Sequence, residues 1–304
     1  MSIIENAINK LQPGKAQGVK PVAESTAPQK ETSSLIERAI ESAMQPKVAP
    51  PEVPVEPIQE PAKSRHENIN LAKLKKMGVI TPDAERSKIA EEFRLIKRPL
   101  LANALGQGAA PIKNGNLIMV TSSLPGEGKS FCSINLAISI ALEMDRTVLL
   151  VDADVARPRI LEYLGLQKDS LGLLDVLRDS NLELADVLIR TNIEKLTILP
   201  AGQTYRHATE LLASEAMDKL LEDMGNRYPD RIIIFDSPPL LSTSEASALA
   251  TQMGQIVMVV EAEKTPEDAV KEALSRIESC DVIGMLLNKT AAITGSDYYG
   301  YYGS

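Results

Sequence analysis

The sequence predicts an α/β fold, a mostly parallel sheet covered by helices on both faces, preceded by a largely disordered N-terminal extension. Three observations carry this expectation. Short apolar runs recur along the C-terminal two-thirds of the chain, and segments with helical spacing lie between them. The runs are apolar throughout rather than alternating, so both of their faces are buried, as in parallel sheets with helices on either side. By contrast, residues 12–34 and 45–66 are rich in Pro, Ala, Glu, Gln, Ser and Lys and offer little to a core.

The elements follow in order. Ser2-Ile3-Ile4-Glu5-Asn6-Ala7-Ile8-Asn9 recurs as Ser34-Leu35-Ile36-Glu37-Arg38-Ala39-Ile40-Glu41. Each copy has a Ser N-cap and one apolar stripe, which predicts short amphipathic helices at about 2–11 and 34–44, suited to docking. Residues 46–57, with a Pro at nearly every third position, form an extended linker. We therefore place a Pro-rich extension at 1–84, a packed domain at 85–290 and a flexible tail at 291–304. Within the domain a helix is expected over 83–106, where Ala90, Phe93, Leu95, Ile96, Leu100, Leu101 and Leu105 make a broad apolar face and Pro99 is a point of kinking or termination. Strands are expected at Leu117–Val120, Thr147–Asp152, Leu196–Leu199, Arg231–Asp236, Gln255–Val260 and Val282–Leu287, with a helix from Phe131 to Leu142.

Composition excludes several classes. The net charge of −8 and pI ≈ 5.1 argue against a nucleic-acid partner. Cys132 and Cys280 lie in apolar periodic segments and read as reduced core residues. There is no apolar run long enough to span a membrane and no secretory signal pattern. The two His and two Cys have no metal-site spacing. With no Trp and little Phe, the core must be aliphatic.

The chemistry starts at Ser122-Ser123-Leu124-Pro125-Gly126-Glu127-Gly128-Lys129-Ser130, between a strand and a helix. In this context Gly126 and Gly128 let successive N–H groups converge on an anion, and the helix N-terminus adds positive potential. Lys129 supplies a cation for the β- and γ-phosphates, and the Ser130 hydroxyl is placed to ligate Mg²⁺. Pro125, Gly126, Glu127, Gly128, Lys129, Ser130 and Phe131 are thus the expected nucleotide-binding stretch. The usual pattern begins with Gly or Ala where this chain has Ser123. Asp152 and Asp154 close the next strand two residues apart and project to one side, where they could hold Mg²⁺ and accept a proton from an attacking hydroxyl. Asp236, before Ser237-Pro238-Pro239, closes a later strand as a second Mg²⁺ contact. Asn288-Lys289 ends the last strand. A guanine-reading site would need an acid two residues past Lys289, and Ala291 stands there, so adenine is expected, with Asn288 as a contact. Four of the seven tyrosines, Tyr298, Tyr299, Tyr301 and Tyr302, lie in the Gly- and Ser-flanked tail, exposed phenols suited to accept phosphate.

Together the phosphate loop, the Asp152/Asp154 and Asp236 segments and the tyrosine cluster resemble the bacterial tyrosine kinases of capsule and exopolysaccharide synthesis. Residues 91–101, with the Ser2-Ile3-Ile4-Glu5 opening, are similar to the exosortase-associated autokinase subfamily. The resemblance implies a P-loop NTPase fold related to partition and septum-site ATPases. It implies that Lys129 and Ser130 hold the phosphates of ATP and Mg²⁺, that Asp152 accepts the tyrosine proton, and that Asp154 and Asp236 serve the metal. It implies phosphorylation of the tail by a neighbouring subunit of a homo-oligomeric ring. Glu91, Arg94 and Lys97 stand in the ring-forming helix, with Lys97 where the family has Arg, a replacement that loses a bidentate contact. It further implies a separate membrane-spanning activator, a phosphotyrosine phosphatase, and a cytoplasmic location at the inner face of the membrane through that activator. The alternative is a partition-type ATPase switch without kinase activity. Those proteins carry a further Lys where this chain has Leu124, and they lack a tyrosine tail.

Overall fold

In the computed structural model of the chain, residues 65–83, 87–108, 110–227 and 230–290 are described. The amphipathic segments expected near 2–11 and 34–44, the linker, and the tail from residue 291 lie outside them. The described elements are β1 (Arg65–Glu67), α1 (Leu71–Lys76), α2 (Lys88–Ala104), β2 (Leu117–Ser122), α3 (Lys129–Ala141), β3 (Thr147–Asp152), α4 (Ile160–Leu164), α5 (Leu173–Arg178), α6 (Leu184–Val187), β4 (Ile189–Thr191), β5 (Leu196–Leu199), α7 (Ala208–Leu212), α8 (Glu215–Arg227), β6 (Arg231–Asp236), α9 (Glu245–Ala250), β7 (Gln255–Glu261), α10 (Glu267–Ser275) and β8 (Ile283–Asn288).

Among the described residues the strands form one eight-stranded sheet, in the order β1-β4-β5-β3-β6-β2-β7-β8. Every pairing is parallel except β4 with β5. The pleat sends alternate residues of each strand to opposite faces. Ile118, Val120, Val148, Leu150, Ile232 and Ile234 join one core with Phe93 and Leu100 of α2 and Ile134 and Ile138 of α3. Their neighbours Leu117, Met119, Leu149, Val151, Ile233 and Phe235 join a second core with Met217 and Leu221 of α8 and Leu249 of α9. Both faces are covered, which is why these strands read as unbroken apolar runs. Cys132 and Cys280 are free and buried, and burial pushes the Cys132 thiol up to about 12, so it is inert as a nucleophile.

In α2 the side chain of Ser87 accepts the Ala90 N–H as N-cap. Pro99 lies inside this helix without ending it. The carbonyl it leaves unmatched is that of Leu95, a residue 66% exposed, so water can satisfy it.

The folded chain begins well before residue 85, which corrects the expected boundary. β1 adds in parallel to β4, with Arg65 opposite Ile189. Asn192 brackets the next turn, accepting the Ile69 N–H at 2.8 Å and donating to the Ile69 carbonyl at 3.1 Å. Asn70 caps α1, and Ile69, Leu74, Val79 and Ile80 are buried in the α2/α3 core. A three-residue strand and a six-residue helix carry too little periodicity to be read from sequence; tertiary contacts stabilise them. Leu74→Ala is therefore expected to lower the unfolding free energy by about 2–4 kcal/mol in urea titration. A change within the scatter of surface mutants would show that residues 65–83 are not part of the cooperative unit.

Candidate active site

The loop joining β2 to α3 has the glycine-dependent turn into a helix N-terminus that the sequence predicts. Gly126 and Gly128 have φ of 91° and 98°, and Gly128 is the N-cap of α3. Only a residue without Cβ holds such a turn without strain. The loop is tied to itself: Glu127, 2% exposed, accepts the Leu124 N–H on its carboxylate at 2.6 Å, and Ser122 Oγ donates to the Leu124 carbonyl at 2.9 Å. Ser123 is fully buried, so the small side chain at that position is demanded by packing.

Three carboxylates and one lysine gather beneath the loop. β3 and β6 are neighbours in register, so Asp152 and Asp236 stand side by side at their C-terminal ends. Asp154 follows in the turn after β3. Lys129 Nζ lies 2.7 Å from Asp154 Oδ2 and 3.7 Å from Asp236 Oδ1. Ser133, one turn into α3, donates to Asp236 Oδ1 at 3.1 Å and to the Lys129 carbonyl at 2.9 Å. Asp152 Oδ2 accepts the backbone N–H groups of Arg159 and Ile160 at 3.0 and 2.9 Å, and Asp154 Oδ1 accepts that of Arg157 at 3.1 Å.

The charges do not balance. Burial raises the Asp152 carboxyl to about 8, and Asp236 beside it acts in the same direction. Burial likewise raises Asp236, against the opposing pull of Lys129. Burial alone would lower Lys129, but Asp236 and Asp154 outweigh it and hold the ammonium above its usual range. Asp152 Oδ1 and Asp236 Oδ2 are buried without a hydrogen-bond partner. Orphaned carboxyl oxygens at the base of this loop suit a hard divalent cation, whose charge would favour their ionised form. Among the described residues no three acidic, His or Cys side chains form a metal cage, so such an ion would take its other ligands from phosphate and water.

The adjoining cleft measures about 440 Å³ and is lined by Pro125, Gly126, Gly128, Lys129, Ser130 and Asp154, together with Arg157, Arg159 and Tyr163 from the segment after β3 and Pro238, Pro239, Ser242 and Thr243 from the segment after β6. The sequence-predicted Lys129, Ser130, Asp152, Asp154 and Asp236 are thus brought together. Phe131 is placed differently, half-buried against the core beside α3. Asn288 is also placed differently: its amide donates to the Glu127 carbonyl at 2.8 Å, bracing the loop.

The expected ring-forming residues separate. Arg94 and Glu91 pair with each other at 2.5 Å, their side chains 47% and 41% exposed. Lys97 is only 5% exposed; its Nζ reaches the Ser139 carbonyl and Glu143, a tie within the fold that sets it apart from the exposed Glu91–Arg94 pair. Tyr298, Tyr299, Tyr301 and Tyr302 lie outside the described residues. Sequence reasoning missed Ser133, whose signal was a small polar residue one turn past Lys129 in a mostly apolar helix. It also missed Arg157, Arg159 and Tyr163, which no spacing marks.

A family described as an AAA domain matches residues 115–288. The tyrosine-protein kinase YwqD of Bacillus subtilis is 30% identical over 230 residues, covering 75% of this chain and 92% of that protein. Among solved structures, the chimerical protein CapA2B2 superposes with a TM-score of 0.60 at 27% identity, covering 73% of this chain and 92% of that one. The BceF tyrosine kinase domain superposes with a TM-score of 0.58 at 26% identity, covering 71% and 86%.

Proposed function

As the chain belongs to the bacterial tyrosine-protein kinases, we propose that it is an autokinase: it transfers the γ-phosphate of ATP to Tyr298, Tyr299, Tyr301 and Tyr302 of a neighbouring copy. The observation that carries this reading is the free, buried Oδ1 of Asp152 in a carboxylate cluster beside a lysine-bearing phosphate loop. Backbone N–H groups from Gly126 to Ser130 and the Lys129 ammonium hold the β- and γ-phosphates. Ser130, Asp154 and Asp236 would hold Mg²⁺, which neutralises phosphate charge when bound. With Oδ2 fixed by Arg159 and Ile160, and once a bound divalent cation offsets the burial and the Asp236 charge that keep it protonated in the empty site, Asp152 would offer Oδ1 to the incoming phenol and accept its proton. Arg157 and Arg159 also line the cleft, two cations that could steer an acidic-flanked acceptor.

The broader role follows the same family. The kinase regulates exopolysaccharide polymerisation and export in the cytoplasm, at the inner face of the membrane, through a separate membrane-spanning activator. A phosphotyrosine phosphatase reverses the modification. A homo-oligomeric ring presents each tail to the next active site, with Glu91 and Arg94 on the exposed side of α2 as its contact. The repeated segments of the extension are docking sites for a partner.

Purified protein supplied with Mg-ATP should gain phosphotyrosine in the peptide beyond residue 290, and Phe at all four positions should remove nearly all of it. Mixing Lys129→Met protein with a tail-truncated active copy should still label the Lys129→Met tail, since transfer is between subunits. ATP hydrolysis without phosphotyrosine would instead make the chain a partition-type switch.

A further inference from the structure

The phosphate loop is gripped a second time, by the end of β8. Asn288 Nδ2 donates to the Glu127 carbonyl at 2.8 Å, and Lys289 Nζ donates to the Gly126 carbonyl at 2.7 Å. Lys289 is anchored by Glu261 at 3.1 Å, and its own backbone turns sharply there, with φ of 57°. The segment after β7 joins in, since the Thr265 hydroxyl donates to the buried Glu127 carboxylate and accepts the Glu261 N–H at 3.2 Å. A Cβ at position 128 would collide with Asn288 Nδ2, so Gly128 is needed for this approach as well as for its φ.

These contacts have a directional consequence. No peptide bond among the described residues is cis, and in a planar trans peptide the carbonyl and the following N–H point opposite ways. Drawing the Gly126 and Glu127 carbonyls toward β8 turns the N–H groups of Glu127 and Gly128 away from it, to the side where an anion is held. We propose that Lys289 and Asn288 are positioning residues for the nucleotide: they orient the donors of the phosphate loop, so that ATP affinity is set in part from the last strand of the sheet. The proposal deepens the kinase reading and rests on its nucleotide site. Because binding couplings are reciprocal, nucleotide in the loop should in turn fasten residues 288 and 289, from which the acceptor tail departs.

The test measures binding of a fluorescent ADP analogue to the full chain and, separately, KM for ATP and kcat. Lys289→Met should raise the dissociation constant about tenfold or more, as expected for loss of a charged hydrogen bond. KM for ATP should rise in proportion, with kcat and thermal stability close to wild type. Lys289→Arg, which keeps a charged donor, should restore most of the affinity, and Asn288→Ala should weaken binding in the same manner. Lys264→Met is the charge control: Lys264 pairs with the same Glu261 but is 73% exposed and touches no loop carbonyl, so it should bind as wild type does. Equal weakening by Lys264→Met and Lys289→Met would reduce the effect to general charge and overturn the proposal. Wild-type affinity in Lys289→Met, or a loss that Lys289→Arg fails to repair, would overturn it too. If the wild-type chain itself bound no nucleotide, the kinase reading would fall first, and that result is distinct from all the others.

Discussion

Lys129→Met is expected to abolish phosphotransfer and to destabilise the empty domain at the same time. The first effect follows from the loss of the cation that meets the phosphates, worth about 10²–10³ or more in rate when such a group acts in a desolvated site. The second follows from burial. Lys129 is 9% exposed and is the cation paired with Asp154 and Asp236. Methionine leaves those carboxylates buried without compensation, a loss of about 3–5 kcal/mol where they are ionised. The raised pKa of Lys129 means its stabilising charge is intact throughout the acid and neutral range and is lost only as pH rises through the folded value. The penalty in Lys129→Met should therefore be large at neutral pH and shrink in acid, where the carboxylates take up protons. Urea unfolding at both pH values checks this, alongside phosphotyrosine detection. Retained activity would remove the proposed active site; equal stability of both proteins at neutral pH would remove the ion pair.

Asp152→Asn should separate activity from stability in the opposite sense. Without the carboxylate the phenolic proton has no acceptor, so transfer should fall by about 10²–10⁴ while ADP binding persists. The empty protein, however, should become more stable at alkaline pH. In the folded state burial, then the neighbouring Asp236, raises Asp152 from 3.8 to about 8. Between those values the folded chain binds a proton that the unfolded chain releases, so wild-type stability declines as pH rises across the window. Asparagine can still accept the Arg159 and Ile160 N–H bonds but cannot ionise. Thermal unfolding without nucleotide should show the variant level with wild type only below about pH 4, drawing ahead as pH rises, and several degrees above it at about pH 9. A variant less stable than wild type at alkaline pH would contradict the buried, unpartnered Oδ1. Asp154→Asn should behave differently, losing activity that added Mg²⁺ partly restores.

How far the sequence could be read depended on element length and on what each residue faced. β2, β3, β6 and β7 were visible because both faces are buried, and the Asp residues ending β3 and β6 were visible because a charge after such a run is conspicuous. β1, α1 and β4 were not, since they are short and carry charged residues, and their order comes from contacts such as Asn192 with Ile69. Lys97 was misplaced for a related reason. A motif position says nothing about which way the helix is rolled, and Lys97 shares its face with Phe93 and Leu100. Asn288 followed a base-contact analogy. Its hydrogen bond to the loop backbone depends on β8 lying one strand beyond β7, a fact of topology.

The two outermost strands also differ as points of mechanical attachment. Tension drawn through Arg65 first loads its side-chain bonds to Ser170 and Gln167, three residues of β1 and the Asn192 bracket, a short pairing at an edge that should peel before the longer strands. The break would stop at β4, with β5 still standing between it and the β3 carboxylate. At the other edge a pull beyond Lys289 meets six residues of β8 and, through Lys289 and Asn288, the Gly126 and Glu127 carbonyls themselves. One handle of the molecule is thus a fuse that spares the catalytic centre, and the other is a lever resting directly on it.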